Sequence, residues 1–184
     1  MILYTARVLA ILAREGSQPR TQLCEPIEQE LRAWPWYCDN NRHINNGQYL
    51  TLMDYGRTAW VARTRLHKRM LSGELHFVVG GLTITYRRPI DLLEPFRLRT
   101  QLVAMDDRWF YVEQVFLRQE GKVAARALLK GMARRGAEAL PPQTLVAWVG
   151  ASTDALPPPP SEEITRWNSA SDLQMAWIRA HDAP

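Results

Sequence analysis

Residues 39 to 46 read Asp-Asn-Asn-Arg-His-Ile-Asn-Asn, a dense polar run set between more apolar stretches. Asp39 brings a carboxylate, which can take a proton from water as a general base or attack an electrophilic carbon itself. The asparagines lead into a predicted helix. The first backbone amides of a helix point outward unpaired and carry partial positive charge, so they can hold an anion or the oxyanion that develops on a carbonyl under attack. The same residue types also serve plainer ends. Asp39 suits a turn, Asn45 and Asn46 suit a helix cap, and His43 suits a satisfied structural histidine, and spacing alone favours this structural reading. No competing chemistry is spelled out elsewhere: the chain has no metal-ligand spacing, no phosphate-cradling glycine loop and no Gly-x-Ser-x-Gly elbow. Its histidines, His43, His67, His76 and His181, are far apart.

The elements that must position this run are read from periodicity. From Gln48 onward, Tyr49, Leu52, Met53, Gly56 and Trp60 recur at intervals of three and four, which predicts a helix with one buried face running to about Met70 and stopping before Ser72-Gly73. Asn46-Gly47 is also a strong hairpin signal. The residues after it hold a helical period, with Arg57, Arg63, Arg65 and Lys68 on the outer side, so Asn45 or Asn46 is read as the N-cap instead. Leu31–Tyr37 reads as a short strand that Pro35 confines to an edge or a bulge. Phe77–Arg88, Phe96–Met105 and Trp109–Arg118 read as strands, the second alternating Leu98, Thr100 and Leu102 with Arg97, Arg99 and Gln101. Val123–Arg135 has the alanines and leucines of a helix, but its alternation after the Glu120-Gly121 turn favours a strand. The pattern is α+β, a helix laid across an antiparallel sheet.

Composition bounds the rest. With 184 residues, 46% hydrophobic and 23% charged, and a mean hydropathy of −0.30, the chain fits one soluble domain and excludes collagen-like, disordered and disulfide-framework classes. Lys+Arg number 23 against 19 Asp+Glu, but the basic residues are scattered, which argues against a nucleic-acid partner and suits a small phosphate-bearing ligand. Cys24 and Cys38 read as free packing thiols in a reducing cytoplasm. Met1–Ala13 is apolar apart from Arg7 and falls short of the ~20 residues of a membrane span; it reads as an amphipathic helix lying on the protein or, as the less favoured option, on a lipid surface. Gly16–Pro26 reads as a connector. Pro157–Pro160 form a spacer, and Ser161 followed by two glutamates starts a terminal helix that Trp167, Leu173, Trp177 and Ile178 are expected to pack onto the body.

The stretch Asp39-x-x-x-His43-Ile44-Asn45-Asn46-Gly47-Gln48-Tyr49-Leu50, continuing through Met53-Asp54-Tyr55-Gly56-Arg57, resembles the motif of hotdog-fold acyl-CoA thioesterases of the 4-hydroxybenzoyl-CoA thioesterase type. The resemblance continues in Arg87-Arg88, Leu93-Glu94-Pro95-Phe96 and Asp106–Tyr111, spans roughly Trp34 to Arg135 in order, and is closest to the subgroup with an apolar N-terminal segment. It implies an α+β hotdog fold, an antiparallel sheet wrapped around a long central helix, over residues 31–150. Residues 1–30 are then an N-terminal amphipathic segment and linker, and 151–184 a Pro-rich spacer and short helix. It also implies a homodimer or dimer of dimers with sites at the subunit interface. The implied reaction is hydrolysis of an acyl-CoA or acyl-carrier thioester by a cytoplasmic enzyme, with peripheral membrane contact through its N-terminus and no cofactor beyond the coenzyme A of the substrate.

Carried onto this chain, the resemblance makes Asp39 the general base or nucleophile and the Asn46 amide, with that of Gly47, the oxyanion donor. His43 and Asn45 organise the site. Arg87 and Arg88, with Arg126, Arg134 and Arg135, are candidates for coenzyme A phosphates, and Tyr49, Met53, Trp60 and Trp109 for the acyl chain. One position departs from the family pattern: Tyr37 stands where many relatives carry a second acidic residue. That departure supports an alternative reading, a non-catalytic acyl-CoA or lipid-binding hotdog protein; a hotdog dehydratase built on His43 fits the motif less well.

Overall fold

The computed structural model describes residues 2–150 and 156–182, and its strands form where β-branched, aromatic and alternating residues gather. β1 (Ile27–Arg32), β2 (His76–Tyr86), β3 (Pro95–Met105), β4 (Phe110–Arg118) and β5 (Val123–Arg135) make one antiparallel sheet in the order β1-β3-β4-β5-β2, and β6 (Glu138–Leu140) pairs with the end of β5. In β3 the predicted alternation holds: Leu98, Thr100 and Leu102 are buried while Arg97, Arg99 and Gln101 stay half-exposed. β5 is buried on both faces from Ala127 to Gly131, which is why its sequence reads half as helix. The strand expected at Leu31–Tyr37 lies earlier. Pro35 has no amide for a ladder and its fixed φ suits a helical start, so Pro35–Tyr37 form a 3-10 turn.

The sheet curls around α2 (Asn46–Arg63), whose buried face carries the predicted stripe of Tyr49, Leu52, Met53, Gly56 and Trp60. Gly56 marks the closest approach: a Cβ there would fall 2.4 Å from Thr100 Oγ1 and 2.6 Å from Gln114 Nε2. The helix expected to continue to about Met70 is interrupted. Thr64 Oγ1 bonds back to the Trp60 carbonyl at 2.8 Å, Arg65 takes a left-handed φ of 68°, and a short α3 (His67–Leu71) follows. Trp60 seals one end of the core with Leu66, Leu102 and Leu145 of α4 (Gln143–Val149); β6 and α4 were not anticipated from sequence.

Outside this unit, α1 (Ile2–Ser17) packs on α2. Val8 and Ile11 join the core, Tyr4 stacks on Tyr55 at 5.7 Å, and Glu15, itself buried, pairs with Arg63 at 3.6 Å and Arg14 at 3.3 Å. Among the described residues, no helix is long and apolar enough to cross a membrane. α5 (Glu162–His181) is N-capped by Ser161 and crosses the outer face of the sheet, where Ile164 and Trp167 pack near Tyr111, Leu128 and Trp109. Here the expectation needs correcting. Leu173, Trp177 and Ile178 are 75%, 63% and 40% exposed, because a helix of this length runs about 30 Å and only its first half meets the sheet.

Candidate active site

The loop between the 3-10 turn and α2 is held at both ends by backbone. Asp39 N–H donates to the His43 carbonyl at 3.0 Å, Asn45 N–H to the Tyr37 carbonyl at 2.9 Å, and Ile44 N–H to the Ile90 carbonyl at 3.0 Å. Arg42, at φ 61°, completes the turn. Within it, the Asn41 amide donates to Asp39 Oδ1 at 2.9 Å, and the same oxygen stands 3.7 Å from His43 Nδ1. One carboxylate oxygen is thereby oriented, and the other meets no donor among the described residues. Both side chains keep partial access to solvent, at 26% for Asp39 and 31% for His43.

At the start of α2, Asn45 is the N-cap and its Oδ1 accepts the Gly47 amide at 2.9 Å. This corrects one expectation: the Gly47 N–H is consumed by the cap and is not free to hold an oxyanion. The Asn46 amide, one residue earlier, meets no acceptor among the described residues, and as a first-turn donor it has none within the helix. The Asn46 carbonyl is used instead, accepting the Tyr86 hydroxyl at 3.1 Å. Tyr86 packs edge-on to Tyr49 at 5.1 Å, and Tyr49 in turn to Phe116 at 4.7 Å. Burial pushes the Tyr49 phenol up to about 12, so it stays neutral at ordinary pH. Burial, with Asp39 and Asp91 adding to it, also raises the Cys38 thiol, which is therefore a packing residue and no nucleophile.

A cavity of about 310 Å³ opens here, lined by His43, Asn46, Tyr49, Tyr86, Arg87 and Arg88 together with Ile44 and Pro89. Asp39 does not line it directly and reaches it through His43. Arg87 and Arg88 are brought in because both their amides donate to the Ala124 carbonyl, at 2.7 and 3.0 Å. Arg88 also donates from its side chain to the Val123 carbonyl at 2.9 Å, whereas the Arg87 guanidinium has no partner among the described residues. Sequence reading missed Tyr86. A tyrosine ending a strand reads only as strand propensity, and nothing local marks its reach to a helix terminus.

Several other candidates fall elsewhere. Met53 is fully buried in the core beneath α2. Trp109 lies on the outer face of the sheet, its ring against Gly80 and beneath the Lys130 ammonium at 5.4 Å. Arg126 is tied to Glu113 at 2.6 Å and, by two bonds, to Glu163 on α5, so it locks the terminal helix and is not open to a phosphate. Arg134 bonds to the Ala137 carbonyl. Trp60, its indole donating to the Leu23 carbonyl at 3.0 Å, does border a space: an apolar cavity of about 340 Å³ between α1, α2 and β2, shared with Phe77, Phe110 and Leu12.

Comparison with known proteins identifies the family and the fold. The family model of the thioesterase-like superfamily matches residues 33–167. Protein THEM6 of Xenopus laevis is 33% identical over 138 residues, covering 75% of this chain and 65% of that protein. Against the THEM6 proteins of three species, the matched part of the chain spans only 47 to 65% of their own length. The long-chain acyl-CoA thioesterase FadM of Escherichia coli (strain K12) is 27% identical over 104 residues, covering 56% of this chain and 79% of that enzyme. The crystal structure of YbaW, a probable thioesterase from Escherichia coli, superposes with a TM-score of 0.62 at 24% identity, covering 67% of this chain and 96% of that one. The curled sheet around α2 is thus a hotdog fold.

Proposed function

The chain belongs to the thioesterase-like superfamily, and from that premise we propose that it hydrolyses an acyl-CoA thioester to a free acid and coenzyme A. The observation that carries the reading is an oriented carboxylate, Asp39, on the loop that leads into α2, whose first amide, that of Asn46, meets no acceptor among the described residues. As general base, Asp39 takes a proton from water while the water oxygen bonds to the carbonyl carbon, and the Asn46 amide holds the oxyanion. Collapse breaks the carbon–sulfur bond, and the proton returns to the departing thiolate. As nucleophile, Asp39 forms an acyl anhydride with loss of thiolate, and water then opens it. The Asn41 amide holds the carboxylate in place with His43 beside it, and Arg87, whose guanidinium has no partner among the described residues, meets a coenzyme A phosphate.

The site is completed by a second copy. Among the described residues β2 pairs only with β5 and its other edge meets no strand, and Val78 and Val79 on it are 43% and 52% exposed. A long exposed edge of this kind is normally covered, which supports a homodimer joined through β2. Tyr37 does not undo the hydrolytic reading. Its carbonyl anchors Asn45 and its hydroxyl accepts from Arg7, so the loop is held here without an acidic residue.

The test is release of free thiol from a panel of acyl-CoAs by the wild type and by Asp39→Ala and Asp39→Asn. Turnover is expected to fall at least a hundredfold in both variants. No turnover for any chain length, or full activity in both variants, defeats the reading; thermal stabilisation by acyl-CoA without its consumption would put the binding-protein alternative in its place. Incorporation of oxygen-18 into the aspartate separates nucleophile from base.

A further inference from the structure

Along α1, Tyr4, Arg7, Val8 and Ile11 fall three and four residues apart and so share one face. Each of them is engaged by the body of the protein. Val8 and Ile11 pack against the core cluster that holds Tyr37, Ile44, Tyr49 and Tyr55, and Tyr4 donates to the Asp54 carboxylate. Arg7, half-buried, reaches instead to the turn ahead of the candidate site. Its Nη1 donates to the Tyr37 hydroxyl, and its guanidinium lies 5.1 Å over the Tyr37 ring and 4.9 Å over that of Trp36. Those two rings meet edge to face, 6.0 Å apart at 66°, so one cation touches both side chains of the turn.

The candidate site hangs on Tyr37. Its side chain is 6% exposed, and its carbonyl accepts the Asn45 amide at 2.9 Å. Asn45 caps α2 and immediately precedes the Asn46 amide, while Asp39 follows Tyr37 by two residues. A rotation of Tyr37 therefore moves the carboxylate and the oxyanion donor relative to each other, and a displacement of about 1 Å can cost on the order of a hundredfold in rate. The turn itself is a weak support. Pro35–Tyr37 is one turn of 3-10 helix, closed by the Tyr37 amide on the Trp34 carbonyl at 2.9 Å and the Cys38 amide on the Pro35 carbonyl at 3.1 Å, and such turns have poor hydrogen-bond geometry. Arg7 adds a charge-assisted hydrogen bond and two ring contacts from outside the turn. We infer that Arg7 is a positioning residue for the thioester reaction, so that α1 belongs to the catalytic unit and is not an addition to it. Arg7 acts through the Trp36–Tyr37 turn and touches no reacting atom. α1 precedes the residues that the family model matches, so this brace is built from outside them. The inference rests on the hydrolytic reading of Asp39 and Asn46.

The test compares thiol release from acyl-CoA and amide hydrogen exchange in the full chain and three variants. Arg7→Met removes the cation and keeps an apolar stem; Tyr37→Phe removes only the hydroxyl and keeps the packed ring and the carbonyl. Arg7→Met is expected to lower kcat roughly tenfold and Tyr37→Phe by a smaller factor, each with KM within about twofold of the wild type. The double variant should lose no more than Arg7→Met alone, since both substitutions remove one interaction. The Asn45 amide should exchange roughly tenfold faster in each, while amides of β4 such as Val112 exchange as in the wild type. Glu15→Gln, which removes the pairs to Arg14 and Arg63 at the far end of α1, is expected to leave kcat and the Asn45 amide unchanged. Wild-type kcat in Arg7→Met overturns the inference, as do losses that multiply in the double variant, an Asn45 amide that is no faster, or an equal effect of Glu15→Gln. Should Arg7→Met not fold, Tyr37→Phe decides by the same readouts, and wild-type kcat with a wild-type Asn45 amide in it overturns the inference. If the wild type turns over no acyl-CoA, the hydrolytic reading falls, and the Asn45 exchange separately shows whether Arg7 holds the loop.

Discussion

Replacing Asn45 separates what the start of α2 does for stability from what it does for an oxyanion. Asn45 Oδ1 accepts the Gly47 amide at 2.9 Å. Asn45→Ala deletes that cap, which costs about 1 kcal/mol and lowers Tm by about 2–4 °C in a chain of this size. Asn45→Asp keeps an acceptor in the same place, and its negative charge at a helix N-terminus maintains or raises stability. It also puts a formal charge one residue from the Asn46 amide. Two like charges roughly 5 Å apart at an effective dielectric of about 20 repel by about 3 kcal/mol, which is roughly a hundredfold in kcat. The expected result is a crossed pattern: Asn45→Asp melts at or above the wild type but turns over about a hundredfold more slowly, whereas Asn45→Ala melts lower and loses less activity. Thermal melts and thiol release on the same preparations measure both. Wild-type turnover by Asn45→Asp would refute the reasoning, because no negative charge could then be developing at this helix terminus.

Three further perturbations test the fold around the site. Gly56→Ala places a methyl 2.4 Å from Thr100 Oγ1, and overpacking of about 1–3 kcal/mol should exceed the roughly 1 kcal/mol gained in helix propensity; a urea midpoint that rises instead would mean α2 does not approach β3 so closely. The Tyr49 phenol is raised from 10.0 to about 12, so the stability of its neutral form is complete below pH 10 and is lost as pH climbs through 12. Tyr49→Phe should therefore flatten the alkaline limb of the stability curve by up to roughly 2–3 kcal/mol, and an unchanged limb counts against the burial argument. Arg126→Ala removes the ion pairs to Glu113 and Glu163, so hydrogen exchange should quicken in the first half of α5 while KM for acyl-CoA holds; a KM rising tenfold would return Arg126 to the substrate.

Much of the architecture was legible because it is written in short-range periodicity. The three-and-four spacing from Tyr49 to Trp60 and the alternation from Leu98 to Leu102 each specify which side of an element is buried, whatever it packs against. The break at Arg65 was not legible, because it rests on Thr64 bonding back into the preceding turn, which the apolar spacing past it does not register. Trp109 and Trp60 look alike in sequence, yet one lies outside the sheet and one inside. Arg87 and Arg126 are both strand-end or strand arginines, and Glu113 across the sheet with Glu163 on α5 occupies the second, while the first has no side-chain partner among the described residues. Leu173, Trp177 and Ile178 carry an apolar pattern whose partner surface ends before they are reached.

By itself, then, the sequence determined the order of strands and helix, the loop that carries Asp39 and the residues that cap α2, since these depend on neighbours within a few positions. The local cap settles which first-turn amide is taken, Gly47 and not Asn46; tertiary structure alone decided that Tyr86 closes onto the Asn46 carbonyl and that Trp34 and Trp36 face solvent beside α1. The Tyr86 contact and the placing of the tryptophans depend on which distant groups meet, and a distant partner competes for an acceptor or a face in a way that no local pattern records.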